Sequence, residues 1–181
     1  RERKSKVNFS CGVSINNLSL NENDIGDFKT FLKLSPPLRT EEDRNALVQG
    51  LVDEIIDVIV SDHKPEDEEN KRLTFAQAET GASGIETLLP LSLELYHNGS
   101  VKLETIIKAL TSSPAKILKI NKGNLSIGND ADFCIVDINK PWVVRKEKLI
   151  SKSKNTPIED KKLQGKVMNT FVNGEELFKA E

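Results

Sequence analysis

Residues 59–69 read IVSDHKPEDEE, an apolar run that stops on Asp62, His63 and a stretch of charge. His63 is one of only two histidines in the chain, and it sits directly beside a carboxylate. In parallel α/β folds the carboxyl ends of strands carry the reactive groups, because the strands hold their last residues rigidly and the loops beyond them converge on one face. A carboxylate at such a tip can ligate a metal ion and carry a proton to or from a metal-bound water. The plainer reading has Asp62 capping the next loop and His63 packing beside it, and an isolated Asp-His pair leaves both readings open.

A strand tip needs a strand, and IDVIVSD (56–62) reads as one, as do KVNFSCGVSI (6–15) and FKTFLKLS (28–35). Each is short, rich in β-branched or aromatic residues and bounded by turn formers. Between the runs 28–35 and 56–62, Thr40 is placed to cap a helix with acids in its first turn and Ala46, Leu47, Leu51 and Val52 at helical spacing. Strand, helix, strand is the unit of a parallel sheet. A helix over 84–97 follows a glycine-rich loop, and another is expected over 101–118. His97 ends the first of these, with Asn98-Gly99 as its C-cap, which suits a structural role. Beyond residue 122 the pattern turns to alternation, with Gly128-Asn129 and Asn173-Gly174 as tight-turn pairs. The chain thus divides into 1–121 and a small antiparallel unit, 122–181, which Trp142 is expected to pack against the first.

The 181 residues carry 26 basic and 28 acidic side chains, for a net charge of −2. The basic residues are interleaved with acids, which gives no reason to expect nucleic acid as a partner. RERKSK at the start reads as an exposed end or the cut edge of a longer chain. No apolar stretch approaches the roughly 20 residues of a membrane helix, and the start lacks the apolar core of a signal peptide, so the expectation is a cytoplasmic protein. Cys11 and Cys134 form no CxxC pair and are expected to be small buried hydrophobes. The charge run 66–72 reads as either a mobile loop over the site or a solvated one, and Arg39 is expected to pair with a carboxylate near the helix start.

Seven segments in order, LSPPLRTEEDRNAL (34–47), IDVIVSDHKP (56–65), GIETLLPLSLELYHNG (84–99), TSSPAKIL (111–118), GNLSIGNDADFCIVD (123–137), SKSKNTP (151–157) and LQGKVMNTFVNG (163–174), resemble the C-terminal half of dihydroorotase, in the amidohydrolase superfamily. The resemblance implies an α/β fold: the C-terminal part of a (β/α)8 barrel followed by part of a small β-sandwich. A whole barrel takes about 250 residues, so the 121 residues before the sandwich cannot close one. The implied reaction is the reversible cyclisation of N-carbamoyl-L-aspartate to L-dihydroorotate in pyrimidine synthesis, with zinc as cofactor. Asp62 matches the family's last-strand aspartate, a zinc ligand that also serves as general base and acid. Ser35 falls at a substrate-contacting position, and Ser83 and Gly84 lie in the loop whose backbone faces the substrate ring.

The same resemblance marks departures. The family's His-x-His pair, carboxylated lysine and further histidine ligands are expected outside these residues, and one Asp does not hold a catalytic zinc, which generally takes three protein ligands. Glu66 stands where a second histidine usually meets the substrate carboxylate, and an anion there would repel it. Asn16 and Asn17 stand where the family often has a His-His pair. The implied partners are the N-terminal half of the same enzyme, a small-molecule substrate and further copies of itself. The alternative is a non-catalytic relative that assembles with aspartate transcarbamoylase. A hydantoinase is a weaker match, because SPPLRTEEDR and SKSKNTP favour dihydroorotase. The unpaired edge over 6–15 is expected to be covered by more protein.

Overall fold

Gly12–Ser14 (β1) and Val58–Val60 (β2) pair in parallel, Val13 opposite Ile59 and Ser14 opposite Val60, in a computed structural model that describes residues 9–180. Lys6, Val7 and Asn8 of the expected first strand, and the RERKSK run, lie outside the described residues. Beyond β2 the pairing is continued by a single parallel bridge between His63 and Ala82, which brings the GASG loop alongside the tip of β2.

The first strand is shorter than expected because Ser14 caps a turn of helix, Ile15–Ser19 (α1), with its Oγ accepting from the Asn16 amide at 3.3 Å. The expected strand over 28–35 does not form. Thr30–Leu32 is a 3-10 turn, and among the described residues no neighbouring strand offers a ladder. The alternation of Leu32 and Leu34 instead drives both into the core, while the Lys33 ammonium donates to the carbonyls of Ala76 and Ala78. Thr40 does cap Glu41–Val52 (α2), accepting from the Asp43 amide at 3.2 Å. Arg39 pairs with Asp43 at 3.5 Å, as the sequence suggested.

Within the charge run, Glu68–Lys71 forms a helical turn (α3). The long helices follow: Leu88–His97 (α4), Leu103–Leu110 (α5) and Ser112–Leu118 (α6). Residues 84–87 stay outside α4, and the expected 101–118 helix breaks at Thr111, whose φ of −127° and ψ of −79° leave the helical region. α4 ends as expected: Asn98 is the C-cap and Gly99, at φ 76°, donates to the Tyr96 carbonyl.

Phe133–Val143 (β3), Lys162–Val172 (β4) and Glu175–Lys179 (β5) make an antiparallel sheet in the order β3-β4-β5. Asn173-Gly174 is the β4–β5 hairpin turn, with φ of 50° and 82°. Gly128-Asn129 is not a hairpin: residues 123–127 form no strand, and Lys122 instead ties the loop together through Asp130 and Asp132. Leu125 and Ile127 accordingly face outward. Cys134 is exposed on β3 rather than buried, at the end of the strand where Phe133 and Ile135 are exposed as well, and Cys11 is only half-buried.

α4 packs on β4 across a shared core that includes Leu91, Ile106 and Val144, all fully buried. Gly165 makes that approach possible, since a Cβ there would lie 2.3 Å from Leu93 Cδ1. Trp142 packs against the same core, as anticipated, and donates from Nε1 to the Gly165 carbonyl at 3.1 Å within its own sheet.

Candidate functional site around Asp62

Two residues beyond β2 the backbone takes a left-handed step at Asp62. Asp62 sits at φ 49°, a left-handed conformation that carries a cost of roughly 1–3 kcal/mol for a residue with a Cβ and collects at functional sites. Asp is among the side chains that tolerate it best. Just past this step His63 meets Ala82 in a parallel bridge, and Lys64 donates its amide to the Ala82 carbonyl at 2.9 Å.

The GASG loop lies close against this turn, and its glycines allow the contact. A Cβ on Gly81 would stand 2.5 Å from the Lys64 carbonyl oxygen, and one on Gly84 would stand 2.5 Å from that of Ser61. Gly84 donates to His63 Nδ1 at 3.1 Å, and Ile85 to the same nitrogen at 3.4 Å. Ser83 donates its amide to the Asn155 carbonyl, while its hydroxyl bonds to the Ser153 carbonyl and Asn155 Oδ1. The amide donors of 83, 84 and 85 are therefore all taken up inside the protein. The expectation turned backbone groups of this loop toward a substrate; the amides of Ser83 and Gly84 are engaged within the protein.

Glu66 is only half-buried and its carboxylate is not isolated. Lys64 Nζ lies 3.2 Å away, which offsets the repulsion an anionic ligand would meet, and the Glu66 amide donates to Asn155 Oδ1 at 3.3 Å. Ser35 is exposed, two residues beyond Lys33, whose carbonyl accepts from the Gly81 amide at 3.0 Å. Asp62, Glu66, Ser83 and Gly84 are thus brought to one loop cluster, and Ser35 borders it without a hydrogen bond to the other four.

Two residues of the cluster escaped the sequence reading. Asn155, 2% exposed, also donates from Nδ2 to the Gly81 carbonyl at 3.1 Å. Lys71 is likewise 2% exposed, and its ammonium donates to the carbonyls of Glu79 at 2.7 Å, Thr30 at 3.2 Å and Lys33 at 3.3 Å. Burial pushes its pKa from 10.5 down to about 8, against the attraction of Glu66 and Glu79 and with the help of Lys64 and Lys33. The run 66–72 is therefore pinned at Lys71, while its other residues are exposed or, at Glu66, half-buried, as the solvated reading expects. A lysine in a run of acids carries no sequence signal for burial, and Asn155 was visible only as part of SKSKNTP.

The donor set does not fit a zinc ion by itself. Among the described residues no three His, Cys, Asp or Glu side chains gather closely enough to hold a metal. Asn16 and Asn17, buried beyond the tip of β1, offer carboxamides, with Asn16 Nδ2 and Asn17 Oδ1 left without partners among the described residues. Carboxamides suit hard, oxygen-ligated cations and not the thiolate, imidazole and carboxylate sites of zinc.

The sequence matches the amidohydrolase family model over residues 5–177, so the chain belongs to the amidohydrolase family. It is 43% identical over 174 residues to the dihydroorotase of Ehrlichia canis, an alignment that covers 96% of this chain and 39% of that protein. The dihydroorotase of Aquifex aeolicus is 38% identical over 178 residues, covering 98% and 42%. The chain therefore spans about two fifths of the length of the curated relatives it matches. Among solved structures, an L-hydantoinase (dihydropyrimidinase) from Arthrobacter aurescens superposes with a TM-score of 0.89 at 28% identity, over 94% of this chain and 39% of that one. A dihydropyrimidinase from Brevibacillus agri gives 0.89 at 22% identity over 98% and 41%, a likeness of fold alone. Among the described residues no helix is long and apolar enough to cross a membrane.

Proposed function

We propose that the chain is the C-terminal segment of a dihydroorotase, the last strands of a (β/α)8 amidohydrolase barrel followed by part of a β-sandwich, working only when completed by an N-terminal half. Its reaction is the reversible cyclisation of N-carbamoyl-L-aspartate to L-dihydroorotate. The observation that carries this reading is 43% identity to a dihydroorotase across 96% of the chain.

In ring opening, a water oxygen bonds to the amide carbonyl carbon, the C–N bond breaks and the leaving nitrogen takes up a proton. Asp62, held at the strand tip, accepts the proton of the attacking water and returns it to that nitrogen; cyclisation runs the same transfers backwards. Lys64 beside Glu66 tempers the negative charge where a substrate carboxylate would approach. In this reading zinc takes Asp62 as one ligand and draws the others from the N-terminal half, and the completed enzyme is a cytoplasmic homo-oligomer.

The test is to purify the chain alone and together with the N-terminal three fifths of the Ehrlichia canis enzyme, add zinc, and follow dihydroorotate hydrolysis. The chain alone should be inactive and the pair active; a folded, zinc-loaded pair without turnover overturns the reading. A second reading, a non-catalytic relative that assembles with aspartate transcarbamoylase, is favoured by Asn16 and Asn17 standing in place of imidazoles. It expects that same inactive pair to co-elute with the transcarbamoylase.

A further inference from the structure

The segments that carry the candidate site meet on one side chain that belongs to none of them. Asn155 enters from the stretch between β3 and β4. Its Oδ1 accepts from the Glu66 amide at 3.3 Å and from Ser83 Oγ at 3.1 Å, its Nδ2 donates to the Gly81 carbonyl at 3.1 Å, and its own carbonyl accepts the Ser83 amide at 3.2 Å. Ser153, two residues earlier, donates from Oγ to the Glu66 carbonyl at 2.5 Å, so both sides of the Glu66 residue are held from the same stretch.

We propose that Asn155 is a positioning residue for the Asp62 site: a carboxamide supplied by the segment between β3 and β4 that fixes Glu66 and Ser83 relative to the strand tip. The proposal rests on reading the Asp62 cluster as the site of reaction. It gives the C-terminal segment a part in the site besides covering its core. A carboxamide combines a neutral acceptor and a donor on one rigid plane, and at 2% exposure no water replaces either bond. Without that plane, the Glu66 amide, the Ser83 hydroxyl and the Gly81 carbonyl lose a common reference, and the three residues between Asp62 and Glu66 are free to shift. Lys64, which pairs with Glu66 and bonds the Thr80 carbonyl, would move with them.

The test is amide hydrogen exchange, residue by residue, on the 181-residue chain and on its Asn155→Leu and Asn155→Asp variants. Asn155→Leu should raise exchange at Glu66 and Ser83 at least tenfold while α5 keeps wild-type protection. Asn155→Asp keeps the acceptor but sets a carboxylate oxygen against the Gly81 carbonyl, so it should preserve Glu66 and Ser83 and loosen only the Gly81–Ala82 peptide. Unchanged exchange at Glu66 and Ser83 in Asn155→Leu, or an equal rise in α5, overturns the proposal. If Asn155→Leu does not fold, the Asp variant decides: loss confined to Gly81–Ala82 supports the role, and equal loss at all three positions or none overturns it. Because exchange is read without turnover, an inactive completed enzyme rejects the functional reading and leaves this one standing, and the converse holds.

Discussion

His63 Nδ1 lies 3.1 Å from the Gly84 amide nitrogen and accepts its proton, with the Ile85 amide 3.4 Å away on the same atom. The neutral ring therefore carries its hydrogen on Nε2, a tautomer fixed by the loop it holds. The histidine next to the candidate base thus anchors the GASG loop.

That assignment predicts an asymmetry between substitutions. His63→Ala leaves two loop amides without an acceptor, one of them on buried Gly84, and should cost about 1–3 kcal/mol in urea unfolding. His63→Asn places Oδ1 near the position of Nδ1 and should recover most of that loss. Equal losses for the two variants would show that the ring's packing matters and its acceptor does not.

Lys71 predicts a pH dependence with a definite sign. Burial lowers its pKa to about 8 in the folded chain, against 10.5 unfolded, so between those values the unfolded chain binds more protons. Stability from this group must then rise with pH from about 8 to about 10.5. Unfolding midpoints of wild type relative to Lys71→Met should climb across that window and run parallel below it. At pH 7 the methionine variant should be less stable by about 2–4 kcal/mol, because three carbonyls lose their donor. A wild-type curve parallel to the variant's throughout would remove the shift.

The parts of this arrangement that were legible in the sequence rest on local chemistry. Thr40 with its following acids, Asn98-Gly99 and Asn173-Gly174 each specify a cap or turn with neighbours only a few residues away, and each forms where expected. Asp62 was found because a strand ending on a charge is a local anomaly. What was missed is non-local. FKTFLKLS alternates like a strand, yet its side chains meet the 71–81 segment and not a ladder, and KVNFSCGVSI reads as a strand through Ile15 although Ser14 caps a helix there. The burial of Lys71 depends on carbonyls 38 and 41 residues away, and that of Asn155 on residues more than 70 away, distances at which one sequence carries no pairing signal.

Gly165 should tolerate no side chain. Its φ is 104°, and a Cβ would meet Leu93 Cδ1 at 2.3 Å in the contact between α4 and β4. Gly165→Ala combines a strained backbone with overpacking, each of about 1–3 kcal/mol. Pairing it with Leu93→Ala should relieve the steric part and leave the backbone part, so the double variant should be less unstable than the sum of the singles. Strict additivity would mean that the glycine is required for its conformation alone.

Asp62 brings stability and proposed function into opposition. Its φ of 49° is unfavourable for a residue with a Cβ, so Asp62→Gly should leave the chain as stable as wild type or more stable by up to about 1 kcal/mol. Asp62→Asn keeps the shape and the strain but removes the carboxylate. In the completed enzyme both variants should lower dihydroorotate hydrolysis by about 10²–10⁴-fold, the range expected for losing a general base. The pair separates two accounts of the left-handed turn. If glycine stabilises and both variants abolish turnover, the carboxylate is held in place at a cost to the fold. If glycine destabilises, Asp62 is bonded into the loop, its conformation is structural, and the plainer reading of a capping aspartate is the correct one.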